Sequence, residues 1–283
     1  MSNPRQILTI LLPYLKTAAL YASHIQSAIA SQPSKTEADN FFGAALTDAD
    51  LSVQTAIEVA LLAHFPDIRF YGEEYEKSYN TKYFKAIDLG QENDYLITLD
   101  PIDGTQFYLD GHSNYQIILT VLNHDEYEAV IALTPSQQSY YYALRHEGIF
   151  YGDFDTSLDD CKPFTIPPPQ PVVYLSWGLG HLAEKIAPHY SVLDIAKAYS
   201  RDRQIPNVNG ILSGDLTGAI IRTGKWIDGG AIAFLAQTAG CIVTTLDGSP
   251  LPPLHSCKDY QRPGLIIATS PEVHQHLLTI YNP

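Results

Sequence analysis

The octapeptide Thr98-Leu99-Asp100-Pro101-Ile102-Asp103-Gly104-Thr105 carries more chemistry than any other stretch of this chain. Asp100 follows the apolar run Tyr95 to Leu99, where a buried strand should end, and Pro101 keeps it extended. Pro101 also suits the second position of a tight turn, which would fold Asp103 back toward Asp100 and turn the Ile102 carbonyl outward. Three oxygen donors then converge, a set suited to a hard cation. Gly104 and Thr105 follow where a helix could begin, and free N–H groups at a helix start attract phosphate. Asp-Pro and Asp-Gly pairs are also ordinary turn formers, so the segment needs support from elsewhere in the chain.

Two further acidic positions supply it. Tyr71-Gly72-Glu73-Glu74 closes the short apolar stretch from Ile68 with adjacent carboxylates, which could equally be a solvated acidic loop. Asp228, in Trp226-Ile227-Asp228-Gly229-Gly230, precedes the small apolar run Ala231 to Ala236, where it could cap a helix or close a metal site. Glu73, Asp100, Asp103 and Asp228 gathered together would repel, by around 4 kcal/mol for two charges about 4 Å apart at an effective dielectric near 20. Cations relieve that repulsion. With neither Cys nor His among the donors, Mg²⁺ is the expected ion, and a pair of such ions is a known device for activating water.

These motifs resemble the inositol monophosphatase family of Mg²⁺-dependent, lithium-sensitive phosphatases. The resemblance rests on Gly72-Glu73-Glu74, Asp100 to Thr105, Asp228 with its downstream Ala239-Gly240, and Thr47-Asp48-Ala49-Asp50, so it runs from about residue 47 to 248. It implies that Glu73, Asp100, the Ile102 carbonyl, Asp103 and Asp228 bind two or three Mg²⁺ ions. It also implies that Asp50, Thr105 and Glu73 form the catalytic group, with Asp50 and Thr105 orienting or deprotonating the attacking water. The backbone N–H groups of Gly104 and Thr105 would hold the substrate phosphate. Asp50 has separate support: in a helix from about Asp48 it shares a stripe with Val53, Ile57 and Leu61 and should face inward, unless it only caps that helix with Thr47.

The chain departs from the family pattern in four places. Ile227 separates Trp226 from Asp228, Cys241 stands where a second Gly is common, and Asp110 replaces a basic or polar residue. The stretch from Gly224 to Asp228 looks shortened, and in relatives it carries an acidic contact to the inositol ring. Lys35 could match a basic residue near the family's N-terminal site, but its spacing to Asp50 is loose.

Composition sets the frame. A chain of 283 residues with 45% hydrophobic content can bury a sizeable core in one large or two smaller domains. The net charge of −14 argues against a nucleic-acid polymer or an anionic membrane as partner, and leaves metals to draw in an anionic substrate. Three cysteines without metal-like spacing, and the lack of a signal peptide or long apolar span, fit a reduced cytoplasmic setting. A homodimer is expected by family analogy only.

The elements that must position these residues follow from hydrophobic periodicity. Ile7, Leu11, Leu15, Ala18, Ala22, Ile25 and Ile29 predict a helix that Pro13 should kink or restart, and a second helix covers about 48 to 64. Strand-like runs near 95–99, 115–122, 127–133, 138–144 and 148–151 predict an antiparallel meander. Tyr140, Tyr141 and Tyr142 belong to it as sheet packing. Pro163 and the run Pro167 to Pro171 read as a stiff connector. Beyond it come a strand at 172–176, helices near 180–200 and 214–223, a helix at 229–239, strands near 241–245 and 264–268, and a helix from about 271, on which His274 and His276 diverge.

The expected fold class is α/β, with an α+β N-terminal half: a layered α-β-α-β-α sandwich with an antiparallel-rich N-terminal sheet and a smaller mixed C-terminal sheet. The expected subdomains are 1–165, carrying most metal ligands, and 172–283, contributing Asp228 and substrate contacts. The favoured activity is hydrolysis of a small phosphorylated polyol, sugar or nucleotide by metal-activated water. Two alternatives are a phosphatase working through an aspartyl-phosphate, and a non-catalytic metal- or phosphate-binding relative. The first alternative expects one residue between its aspartates, where two separate Asp100 from Asp103. The second expects a missing ligand.

Overall fold

The computed structural model describes residues 3–29, 45–74, 95–258 and 261–282, and Lys35 lies outside them. The chain divides into two compact units, Met1–Pro163 and Phe164–Pro283.

In the first unit, helix α1 (Pro4–Ile25) starts at Asn3, whose side chain accepts the Gln6 N–H at 2.8 Å. Ile7, Leu8, Leu11, Leu15, Ala18 and Ala22 form its buried stripe. The expected restart at Pro13 does not occur. Pro13 lies on the exposed face, so the backbone bond it forfeits falls on the solvent side and one helix runs through it. Helix α2 (Asp48–His64) opens with a capping box between Thr47 and Asp50.

Strands β1 (Arg69–Gly72) and β2 (Leu96–Asp103) pair in parallel. After the short helix α3 (Thr105–Leu109), strands β3 (Gln116–Leu122), β4 (Tyr127–Thr134), β5 (Ser139–Leu144), β6 (Gly148–Asp153) and β7 (Lys162–Pro163) extend the sheet as an antiparallel meander in chain order. Leu15 of α1 and Val53, Ile57 and Leu61 of α2 pack with Ile97, Leu99, Leu119 and Ile131 of the sheet in one buried core. That core holds α2 against β2.

The second unit carries β8 (Val172–Leu175), α4 (Ala183–Ile186), β9 (Ser191–Asp194), α5 (Ile195–Ala198), α6 (Gly210–Ser213), β10 (Gly218–Ile221) and β11 (Gly224–Lys225). Then follow α7 (Ala231–Thr238), β12 (Ile242–Thr245), β13 (Gln261–Arg262), β14 (Leu265–Ala268) and α8 (Pro271–Tyr281). Its five-stranded sheet has the order β12-β14-β10-β8-β9 and is mixed: β10, β8 and β9 are parallel, and β14 runs against both β10 and β12.

One helix expected here gives way to a strand, and another is divided by one. Gly214 adopts a left-handed backbone with φ 81° and ends α6. The fully buried Gly218-Ala219-Ile220-Ile221 then joins the sheet between β8 and β14 instead of continuing a helix. Likewise β9 divides the expected helix near 180–200, because Val192 and Leu193 pair with Val173 and Tyr174. Residues with mixed helix and strand potential were captured by sheet pairing over long range. His274 and His276 diverge on α8 as expected: one meets Thr244 at 2.8 Å, the other Tyr190 at 2.9 Å. Among the described residues no helix is long and apolar enough to cross a membrane.

Candidate active site

Strand β2 does not stop at Asp100 but runs on to Asp103. Asp100 pairs with Ile118 and Asp103 with Gln116, so three steps along β2 match two along β3, and the extra residue bulges. Within the bulge Asp100 Oδ1 accepts the Ile102 N–H at 3.1 Å, a side-chain turn inside the strand in place of the backbone tight turn expected at Pro101. Asp100 is 3% exposed. Gly104 then takes φ 91°, a left-handed conformation that lets the chain swing directly into α3 at Thr105.

The first unit brings Asp50 to this turn. Asp50 is fully buried, so it faces inward, and it also caps α2. One carboxylate oxygen, Oδ2, accepts the Thr47 N–H at 2.8 Å and the Thr47 hydroxyl. The other, Oδ1, accepts the Thr105 hydroxyl at 3.2 Å. The Thr105 oxygen also lies 2.9 Å from the Ile102 carbonyl, so one hydroxyl proton serves two acceptors.

Glu73 enters from β1. Gly72 pairs with Leu99 in the parallel register, and the Glu73 N–H donates to the Leu99 carbonyl at 3.1 Å, which sets Glu73 alongside Asp100 where the parallel pairing of β1 with β2 ends. Glu73, Asp100, the Ile102 carbonyl, Asp103, Asp50 and Thr105 therefore belong to one corner of one unit.

Asp228 lies in the second unit and is not a helix cap. It sits in the turn Trp226–Gly230 ahead of α7, and Gly230 holds the cap position. Its carboxylate accepts the Gly229 N–H and stands 4.0 Å from the Arg262 guanidinium. Arg262 is 6% exposed and donates to the carbonyls of Arg222 at 2.7 Å and Pro263 at 3.0 Å. A Cβ at Gly224 or Gly229 would come within 2.9 or 2.7 Å of that guanidinium, so the glycines of the short segment make room for it. Cys241 is buried, and burial pushes its thiol up to about 11.

Sequence reasoning missed Arg262 and Gln54. Nothing marks Arg262 in the sequence. Gln54 stands four residues after Asp50, a helical spacing that does place it on the same face.

The inositol monophosphatase family model matches residues 11–282, nearly the whole chain. The chain belongs to the inositol monophosphatase family. Membership makes it a metal-dependent phosphatase acting on small phosphorylated substrates. Among curated proteins, none matches the sequence at a significant level. The fold is similar to that of a Thermotoga maritima IMPase, at 16% identity, TM-score 0.72 and coverage of 98% of this chain and 96% of that one. A staphylococcal IMPase-I in complex with products aligns at 18% identity and TM-score 0.71, over 99% and 96% of the two chains. An IMPase/NADP phosphatase in complex with Mg²⁺ and phosphate aligns at 18% identity and TM-score 0.71, over 97% and 94%.

Proposed function

We propose that this family member is a Mg²⁺-dependent phosphomonoesterase that hydrolyses a small phosphorylated polyol, sugar or nucleotide by direct attack of water. The observation that carries the reading is the Asp50–Thr105 hydrogen bond standing over the Asp100 bulge.

The donors suit the ion. Glu73, Asp100, Asp103 and the Ile102 carbonyl offer oxygen only, the set that selects Mg²⁺ over softer metals. The family motif alone adds Asp228 to these ligands. A bound divalent cation supplies Lewis acidity, which acidifies water and neutralises charge on phosphate and leaving oxygens.

The chain's own residues do the rest. Because Asp50 accepts the Thr105 proton, a Thr105 lone pair is available to a water. As the water oxygen bonds to phosphorus, a water proton passes to Thr105 Oγ1 and the Thr105 proton moves to Asp50. The ester P–O bond breaks, and the leaving oxygen takes a proton from solvent. The N–H groups of Gly104 and Thr105 hold the phosphate during the displacement. Lithium sensitivity, a cytoplasmic setting and a homodimer are further parts of the proposal. One of the similar structures is a LiCl-soaked inhibitory complex of a staphylococcal inositol monophosphatase-1.

Phosphate release from a panel of inositol phosphates, sugar phosphates and phosphonucleotides, with Mg²⁺ and then with chelator, tests the proposal. Release that needs Mg²⁺ and disappears in Asp103→Asn supports it. Equal release in chelator contradicts it.

A further inference from the structure

We infer that Gln54 is a positioning residue for Glu73, and that Gly72 is glycine to admit it. The inference rests on the reading of Glu73 as a metal ligand and extends it to a residue outside the donor set.

Gln54 is 1% exposed on α2, one helical turn after Asp50. Its Oε1 accepts the Glu74 N–H at 3.0 Å, and its Nε2 donates to Glu58 Oε1 at 3.1 Å. A backbone N–H can only donate and a carboxylate accepts, so this is the one amide orientation that satisfies both partners. Glu73 is thus held on both sides: its own N–H is bonded to Leu99, and the next N–H is bonded to Gln54. Buried Glu58, at 7% exposed, fixes the amide from behind.

Gly72 completes the device. A Cβ there would lie 2.3 Å from Cδ, 2.4 Å from Oε1 and 2.6 Å from Nε2 of Gln54. Real Cβ atoms do not approach that closely, so any larger residue at 72 must expel the Gln54 amide. Helix α2 therefore carries two groups at i and i+4: Asp50 reaches the Thr105 turn, and Gln54 holds the Glu73 corner. Residues that orient metal ligands in this way typically control metal affinity by 10- to 100-fold.

The test titrates Mg²⁺ into the full chain by calorimetry, without substrate, alongside thermal melts in chelator. Gln54→Ala and Gly72→Ala should each weaken Mg²⁺ binding about tenfold or more, with kcat largely recovered at saturating Mg²⁺. The double variant should bind within about twofold of either single one, because both remove the same amide. Gln54→Met, of similar length, stands in if Gln54→Ala does not melt cooperatively. Glu73→Gln is the control. If it loses Mg²⁺ while the Gln54 and Gly72 variants bind normally, Gln54 does not act through Glu73 and the inference falls. Fully additive losses in the double variant overturn it as well. If Glu73→Gln also binds Mg²⁺ normally, the ligand assignment fails and takes the inference with it.

Discussion

Asp50 Oδ1 accepts the Thr105 hydroxyl at 3.2 Å across 55 positions of chain, joining the first turn of α2 to the first residue of α3. The other oxygen of the same carboxylate caps its own helix through Thr47. The capping box thus orients the carboxylate, and the carboxylate orients Thr105.

Thr105→Ser should keep kcat within about tenfold of the parent, because the hydroxyl survives. Thr105→Ala should lose about a hundredfold or more, the lower end of what positioned proton transfer contributes. Steady-state kcat at saturating Mg²⁺ checks this. Equal loss in both variants would show that the methyl packing, not the hydroxyl, matters.

Asp100→Asn keeps the oxygen that accepts the Ile102 N–H and removes the charge that repels its neighbours. Activity should vanish, while the metal-free variant melts at the same temperature as the parent or higher. Melts with and without Mg²⁺ decide it. A variant that melts far lower in chelator makes Asp100 a turn residue and no ligand.

The meander was legible in the sequence, because Ile117 to Leu122 and Ala129 to Leu133 are short, nearly continuous apolar runs bounded by turn residues, in strands that pair locally with their neighbours. Strands β9 and β10 were not legible. Their short runs, Val192-Leu193 and Ala219-Ile220-Ile221, become strands only through pairing with β8, whose distance in sequence hides the partner. In the site, Asp100, Ile102, Asp103 and Thr105 are contiguous and announce themselves. Asp50 follows from helical phase. Gln54 and Arg262 are single polar residues whose roles arise from glycines that admit them, at Gly72, Gly224 and Gly229, and local spacing carries no sign of that.

Burial holds the Cys241 thiol protonated up to about 11, against 9.0 for an exposed thiol. The unfolded chain loses this proton first, so stability falls as pH rises between about 9 and 11 and is fully present below that window. Cys241→Ala should remove the share of the alkaline decline that begins near 9, as measured by denaturant melts across pH. Alkylation of native Cys241 should rise toward about 11. A half-rise near the ordinary thiol value would contradict the burial.

The Arg262 guanidinium is seated between Gly224 and Gly229, in the segment where the family resemblance implies an acidic ring contact that this chain lacks. Without it, discrimination among polyol phosphates should be weak, since each lost hydrogen bond is worth roughly 0.5 to 1.5 kcal/mol. Inositol 1-phosphate should not lead a panel ranked by kcat/KM. A lead of about a hundredfold, roughly 2.7 kcal/mol of transition-state binding, would require a contact from another residue.

The stereochemical course at phosphorus tests the central claim most directly. A substrate made chiral at phosphorus with sulfur and isotopic oxygen, hydrolysed by the Mg²⁺-loaded enzyme, should give inverted product, because one water makes one in-line displacement. Retention, together with phosphate trapped on Asp100 or Asp103, would mean two displacements through an aspartyl-phosphate and would contradict the account.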